Sequence, residues 1–423
     1  MTGRTATEKL LADASGRDTV EPGDVVEAEL DLVYTMDFLG KVLYDHLADM
    51  GAEEVFDDDR VVVIFDHVAP ANTEAFADLH KSIREAVSEY GGTLYDIGEQ
   101  GIMHQLVVEE GYVTPGSIAV GTDSHTPTAG AVGAISMGMG ATDAATGMAT
   151  GELWLRVPES VRVEVTGEFE PGVTSRDMMF HLLGRKGWDG GEGLWAYKSV
   201  EFGGPGIDAM SIDSRLTTTN LVSDMGATTG FIEPDEKMLE YVDERAKFDY
   251  DVYRSDEDAE YAERTYVDVS QLEPVVACPH SPDNVKPVTE VTGTPVDQAV
   301  IGSCTGGRME DLRQAADVLR GHEIHDNVRM LVSPASSTIY REAMAEGLLE
   351  EFMAAGATVM QSTCGPCFGQ VGTIGKGETC ITNTPRNMKG RMGSSEGFVY
   401  SGNPMTVAAS AIAGELVDPR EYL

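Results

Sequence analysis

The feature that most constrains the fold is an alternation of short, β-rich apolar runs with helix-patterned stretches, present in both halves of the chain. Arg60 to Phe65 (RVVVIF) has the composition of a buried strand, Asn72 to Tyr90 the pattern of an amphipathic helix opened by an Asn cap, and Thr93 to Ile97 that of the next strand. That is one βαβ unit. Ser117 to Gly121 (SIAVG) is a further strand, Thr128 to Gly151 reads as a tightly packed helix of small residues, and SVRVEVTGEF after Pro158 alternates as a strand. Asp235 to Glu263 is a strongly acidic helical or connecting stretch, and the proline-rich Leu272 to Pro295 reads as a linker or domain edge. Beyond it, VDQAVIGSCTGG, VRMLVSPAS and GATVMQSTCGPC are strands that each run into a small-residue turn, with helices at Met309 to Arg320 and Ser336 to Gly347 between them. Such alternation calls for α/β layers with mainly parallel sheets, whose ligands gather at the carboxyl ends of the strands.

Charge narrows the choice of partner. With 71 Asp and Glu against 30 Lys and Arg, the formal net charge is -41. Nucleic acid and anionic membrane are poor partners for such a surface, because clustered Lys and Arg are needed to displace phosphate counterions. The acidic excess is spread along the chain, as expected of a protein that works in concentrated salt, where screening weakens self-repulsion. Five cysteines is an odd count, and MTGRTATEKLLADASG has no apolar run of the signal-peptide kind, so a reducing cytoplasm is expected. The longest small and apolar run, Ala129 to Ala141, falls short of the roughly 20 apolar residues of a bilayer span. No membrane segment is expected.

Three cysteines stand at strand-to-turn junctions: Cys304 in IGSCTGG, and Cys364 and Cys367 in CGPCFGQ. A closely spaced pair plus one distant thiol gives three soft ligands able to meet at one metal site. An iron–sulfur cluster, a zinc site, a redox dithiol and a purely structural role all remain open on spacing alone. Imidazoles beside acids follow other strands: Asp66 and His67 in FDHVAP, His104 in GIMHQ, and Asp123, Ser124 and His125 in GTDSHTP. A carboxylate next to an imidazole fixes its tautomer and raises its basicity for proton transfer. In TPRNMKGRMG, Arg386 and Arg391 flank a local basic knot in an acidic chain, a place for a polycarboxylate.

In this order FDH, GIMHQ, GTDSHTPT, IGSCT, CGPCFGQ and RNMKGR resemble the large subunits of the isopropylmalate dehydratase and homoaconitase branch of the aconitase family. The likeness runs from about Leu32 to the C-terminus, and GEFEPGVTSRD, IEPDEKMLEYV and SGNPMTVAASAIAGEL look like the isopropylmalate branch in particular, here with a haloarchaeal-like acidic composition. The resemblance implies three-layer α/β/α domains at residues 1–158, 159–272 and 273–423. It implies a 4Fe-4S cluster on Cys304, Cys364 and Cys367, with one iron left for a small hydroxy-acid substrate, and a hydro-lyase that isomerises a 2-hydroxy dicarboxylate by dehydration and rehydration. By the same resemblance Asp66 and His67 help protonate the departing hydroxyl, while His104 with Asp123 and His125 with Asp224 are supporting pairs. Ser124, Arg386 and Arg391 hold substrate carboxylates, and Asn220 stands beside the cluster.

The chain also departs from the family pattern. Asp224 replaces the usual Glu and is one methylene shorter, so a looser pairing with His125 is expected; Pro385 replaces an Asn that donates a hydrogen bond near the cluster. VYTMDFLG lacks the usual Asp-x-Thr pattern, leaving Asp37 as a weak match. The family's swivelling fourth domain is not found before Leu423, and GSSEG at Gly393 to Gly397 does not match its GSSRE-like motif, so a separate small subunit carrying it is expected. Two other classes compete: an RNA-binding apo protein, disfavoured by charge, and a dithiol oxidoreductase using Cys364 and Cys367.

Overall fold

The structure, a computed structural model, describes residues 3–186 and 195–423. Two compact units divide the chain: residues 1–97, 103–166 and 195–267 form one, and residues 98–102, 167–194 and 268–423 the other.

In the first unit, the strand Val61–Ile64 is a run of four fully buried residues, as a strand covered on both faces requires. It lies in an all-parallel sheet of five strands in the order Thr93–Tyr95, Val61–Ile64, Leu32–Met36, Ile118–Gly121, Ile135–Gly138. The order reverses between Leu32–Met36 and Ile118–Gly121, which opens a crevice at their carboxyl ends. Asp37 directly follows the first of these strands, and Asp123, Ser124 and His125 follow the second. The helix Glu74–Tyr90 buries His80, Ile83 and Ala86 along one stripe. Its cap is Thr73, whose hydroxyl accepts the Phe76 N–H at 3.3 Å, one residue later than the Asn72 read from sequence.

A second sheet of this unit orders Thr229–Ile232, Ser199–Gly203, Ser160–Thr166 and Glu263–Asp268. Buried Glu201 ties it to distant chain: its carboxylate accepts from the Thr7 hydroxyl at 3.0 Å, the Ser255 hydroxyl at 2.7 Å and the Tyr261 hydroxyl at 2.8 Å. Ser255 and Tyr261 belong to the acidic stretch, which is helical only over Glu236–Asp243.

The segment Thr128 to Gly151 is not one helix. A 3-10 turn covers Thr126–Val132, an edge strand Ile135–Gly138, and an α-helix only Ala141–Thr150. Gly133, at φ +74°, ends the turn in the left-handed region. Short buried runs give no periodicity to tell strand from helix, and here tertiary pairing decides. Close backbone approach does explain the small residues at Gly130, where an added Cβ would lie 1.8 Å from the Gly230 carbonyl oxygen.

In the second unit, seven strands are ordered Val285–Pro287, Val275–Ala277, Phe398–Ser401, Thr379–Thr382, Gln298–Ile301, Arg329–Val332, Thr358–Val359. The last five are parallel, and the first two form an antiparallel edge. Leu272 to Pro295 therefore supplies two strands and is not a linker. Prolines are tolerated there because an edge strand need not donate on its open side. The strand order again reverses beside the first parallel strand, between Gln298–Ile301 and Thr379–Thr382. Cys304 follows the former and Arg386 the latter. Among the described residues no helix is long and apolar enough to cross a membrane.

Gly130→Ala is expected to lower stability by about 1–3 kcal/mol through overpacking against Gly230, read as a drop in melting temperature; an unchanged melting temperature contradicts the close approach.

Candidate active site

The acid and imidazole residues gather on the five-stranded sheet of the first unit. Asp66 and His67 begin the turn after Val61–Ile64, and His67 Nδ1 lies 2.6 Å from Asp66 Oδ1. The other Asp66 oxygen accepts the Met103 N–H at 2.9 Å. Burial works against a charged imidazole, but Asp66, and behind it Asp123 and Asp37, outweigh it and push His67 up to about 9. The pair therefore holds its proton at neutral pH.

His104 lies in the first turn of the buried helix Met103–Glu109. Both its ring nitrogens are engaged, Nε2 with Asp123 Oδ1 at 2.9 Å and Nδ1 with the Tyr34 hydroxyl at 3.2 Å, so the ring orientation is fixed. The same Asp123 oxygen accepts the His125 backbone N–H at 2.8 Å and stands 3.4 Å from His125 Nδ1. Enclosure opposes its ionisation, yet the two imidazoles hold Asp123 well below the usual carboxylate range. His125 Nε2 is 3.6 Å from Asp224 Oδ2, longer than a hydrogen bond and in keeping with the shorter side chain.

Asn220 is buried at the end of the helix Ile212–Leu221 and donates to the Thr128 hydroxyl at 2.7 Å; that hydroxyl in turn donates to the His125 carbonyl at 2.6 Å. Asn220 thus braces the turn that carries His125. Ser124 is exposed on the same turn.

Sequence reasoning passed over His80 here and undervalued Asp37. Asp37, given only as a weak match, accepts the Val68 N–H at 2.6 Å with Oδ2, and His80 Nε2 lies 3.5 Å from that oxygen. The available signal was Asp37's place directly after a strand and a histidine on the apolar stripe of a helix.

The second unit assembles the thiols. Cys304 follows Ser303, a non-glycine residue at φ +74°, a conformation that surrounding contacts must sustain. Those contacts come from Asn383, which accepts the Gly302 N–H at 2.9 Å and the Thr305 hydroxyl at 2.9 Å, and from buried Arg308, which donates to the Cys304 carbonyl at 2.7 Å. Cys364 and Cys367 lie at the 3-10 turn Gly365–Phe368. Ser333 bonds both the N–H and the carbonyl of Thr363, at 3.1 Å each, and so anchors the approach to that turn.

The Cys364 thiol interacts with both Cys304 and Cys367, which holds it well above the ordinary thiol value. The bond from Cys364 and the Arg391 guanidinium bring Cys367 down to about 6 against the opposing effect of burial. Arg391 donates to the Cys367 carbonyl at 3.1 Å and reaches its Sγ at 3.6 Å. Arg386 is half-buried. Cys278 and Cys380 are also buried, and burial raises both thiols.

A raised histidine stabilises the fold fully below the unfolded value of about 6.5 and less as pH rises through about 9. The wild-type melting temperature is expected to fall more between neutral pH and pH 9.5 than that of Asp66→Asn, measured by calorimetry; parallel curves contradict the pairing.

Residues 15–295 and 285–414 match the aconitase family (aconitate hydratase). The chain is 47% identical, over the full length of both proteins, to a protein named 3-isopropylmalate dehydratase large subunit 1 from Methanopyrus kandleri. It is 46% identical to a 3-isopropylmalate dehydratase large subunit from Heliobacterium modesticaldum, over 99% of each chain. It is 45% identical to a protein named as a probable methanogen homoaconitase large subunit from Methanothermobacter thermautotrophicus, over 98% of this chain and 97% of the other. With its acid–imidazole pairs and its converging thiols, the chain belongs to the aconitase family.

Proposed function

We propose that the chain is the iron–sulfur-bearing large subunit of a hydro-lyase that isomerises a 2-hydroxy dicarboxylate by dehydration and rehydration, with isopropylmalate as substrate. The observation that carries this reading is the contact of Cys364 with both Cys304 and Cys367, with Cys367 drawn down by its bond from Cys364 and by the Arg391 guanidinium toward the thiolate a metal needs. Three buried soft donors fit a 4Fe-4S cluster, and the names of the close relatives support the substrate class. When bound, such a cluster supplies a Lewis acid for the substrate hydroxyl and carboxylate.

The remaining roles fall to the protein's own side chains. Asp66 occupies His67 Nδ1, so Nε2 is the atom that delivers a proton to the departing hydroxyl. Because His67 keeps its proton at neutral pH, it starts the dehydration direction as the acid. Asp123 stays ionised between His104 and His125 and orients both rings. Ser124, Arg386 and Arg391 hold the substrate carboxylates, Arg391 while also facing Cys367. Asn220 braces the His125 turn.

A small subunit, whose existence the naming of the relatives as large subunits supports, completes the substrate site. We read the pair as cytoplasmic and the net charge of -41 as adaptation to concentrated salt. One relative named for homoaconitase favours a second substrate, a longer hydroxy tricarboxylate handled by the same chemistry. The third sulfur beside Cys364 weighs against a simple dithiol oxidoreductase, and the acidic surface against an RNA-binding role.

The test uses the full chain, reconstituted anaerobically and assayed with the small subunit on isopropylmalate. Cys304→Ser is expected to lose iron and visible absorption; His67→Ala is expected to keep its iron and lose dehydration by at least about 100-fold. A colourless wild-type chain that reduces disulfides favours the dithiol reading, and full activity in His67→Ala removes that residue from proton transfer.

A further inference from the structure

A second acid–imidazole pair lies behind the first. Asp37 opens the helix Asp37–Asp49 and is fully buried; its Oδ1 accepts the Phe38 N–H at 3.0 Å, and its Oδ2 accepts the Val68 N–H at 2.6 Å. Val68 is the residue after His67, so Asp37 grips the turn that aims the imidazole. One carboxylate oxygen of Asp37, one of Asp66 and one ring nitrogen of His67 all lie within 4.8 Å of one another. His80, 2% exposed, reaches Asp37 from the helix Glu74–Tyr90, with Nε2 3.5 Å from Oδ2 and its ring stacked on Phe65 at 4.2 Å. Phe38, next to Asp37, meets the His67 ring edge-on at 5.4 Å.

We propose that Asp37, faced by His80, is a positioning residue for His67: it fixes the His67–Val68 turn and adds a second buried negative charge that strengthens His67's hold on its proton. Two carboxylates this close repel one another when both are charged, and His80 Nε2 faces the inner one at 3.5 Å. The other titratable groups facing His67 are Asp66 on its own turn, Asp123 after Ile118–Gly121, and His104, which shares Asp123. Arg84 and Asp96 pair with each other near the surface. Backbone N–H groups or an imidazole engage the oxygens of both Asp37 and Asp66, so both carboxylates are held in place around the His67 turn.

The role of His67 as acid rests on the function proposed above, but the coupling can be read without cluster, substrate or turnover. The experiment follows the histidine ring resonances of the full-length chain by NMR as pH is raised. Asp37→Asn keeps the shape and an acceptor for the Val68 N–H, and is expected to lower the His67 midpoint by about one unit or more, a tenfold or greater loss of proton affinity. Asp37→Glu is expected to restore most of it, which a merely structural role would not do. In the assembled enzyme, the limb of the pH–rate profile belonging to His67 shifts in the same direction and by the same amount.

An unmoved midpoint in a folded Asp37→Asn chain overturns the proposal while leaving the hydro-lyase reading intact. A moved midpoint in a chain without hydro-lyase activity does the reverse. If Asp37→Asn does not fold, Asp37→Ser, smaller and still an acceptor, takes its place. Failure of both to fold makes Asp37 a residue of the fold and equally removes the proposal.

Discussion

Three thiols gathered at the carboxyl edge of a parallel sheet, with Cys364 reaching both Cys304 and Cys367, are the constraint on which the proposed chemistry depends. Nothing local brings them together: Cys304 is separated from Cys364 and Cys367 by two strands and the helices between them. The sheet does it, because parallel strands end on one side and their turns gather there. Burial alone would raise each thiol, as it does for Cys380. The bond from Cys364, together with the Arg391 guanidinium, reverses that at Cys367 and favours a thiolate there.

The five-stranded sheet applies the same geometry to pairs of carboxylate and imidazole. Asp37, Asp66 and Asp123 all stand at or just past strand ends, each in contact with an imidazole. Pairing lets acidic groups sit inside a protein: a buried carboxylate without hydrogen bonds takes up a proton, whereas Asp123 between two imidazoles stays ionised. One imidazole is thus held protonated and one carboxylate ionised at the same pH, as acid–base chemistry near neutrality requires.

Much of this was legible in the residues. Strands such as Val61–Ile64 and Gln298–Ile301 announce themselves as short apolar runs ending in small residues, and chemistry placed just after them follows from the parallel arrangement. Three features escaped for physical reasons. The stretch Thr128 to Gly151 carries no usable period, and only pairing with Ile118–Gly121 makes Ile135–Gly138 a strand. Proline-rich Leu272 to Pro295 hid two strands, one of them at the sheet edge, since proline signals a break without saying which side of a strand is open. The Asp37–His80 contact joins the starts and middles of two different helices, a meeting that no spacing along the chain encodes.

The central claim is tested most directly by Mössbauer spectroscopy of the full-length chain reconstituted with isotopically enriched iron and sulfide, with and without a 2-hydroxy dicarboxylate. The account predicts about four irons per chain, as a cubane cluster requires, with one iron signal moving when the hydroxy acid is added and the others unmoved. A chain that binds a single zinc ion on these thiols, or a cluster whose iron signals all ignore the hydroxy acid, contradicts it.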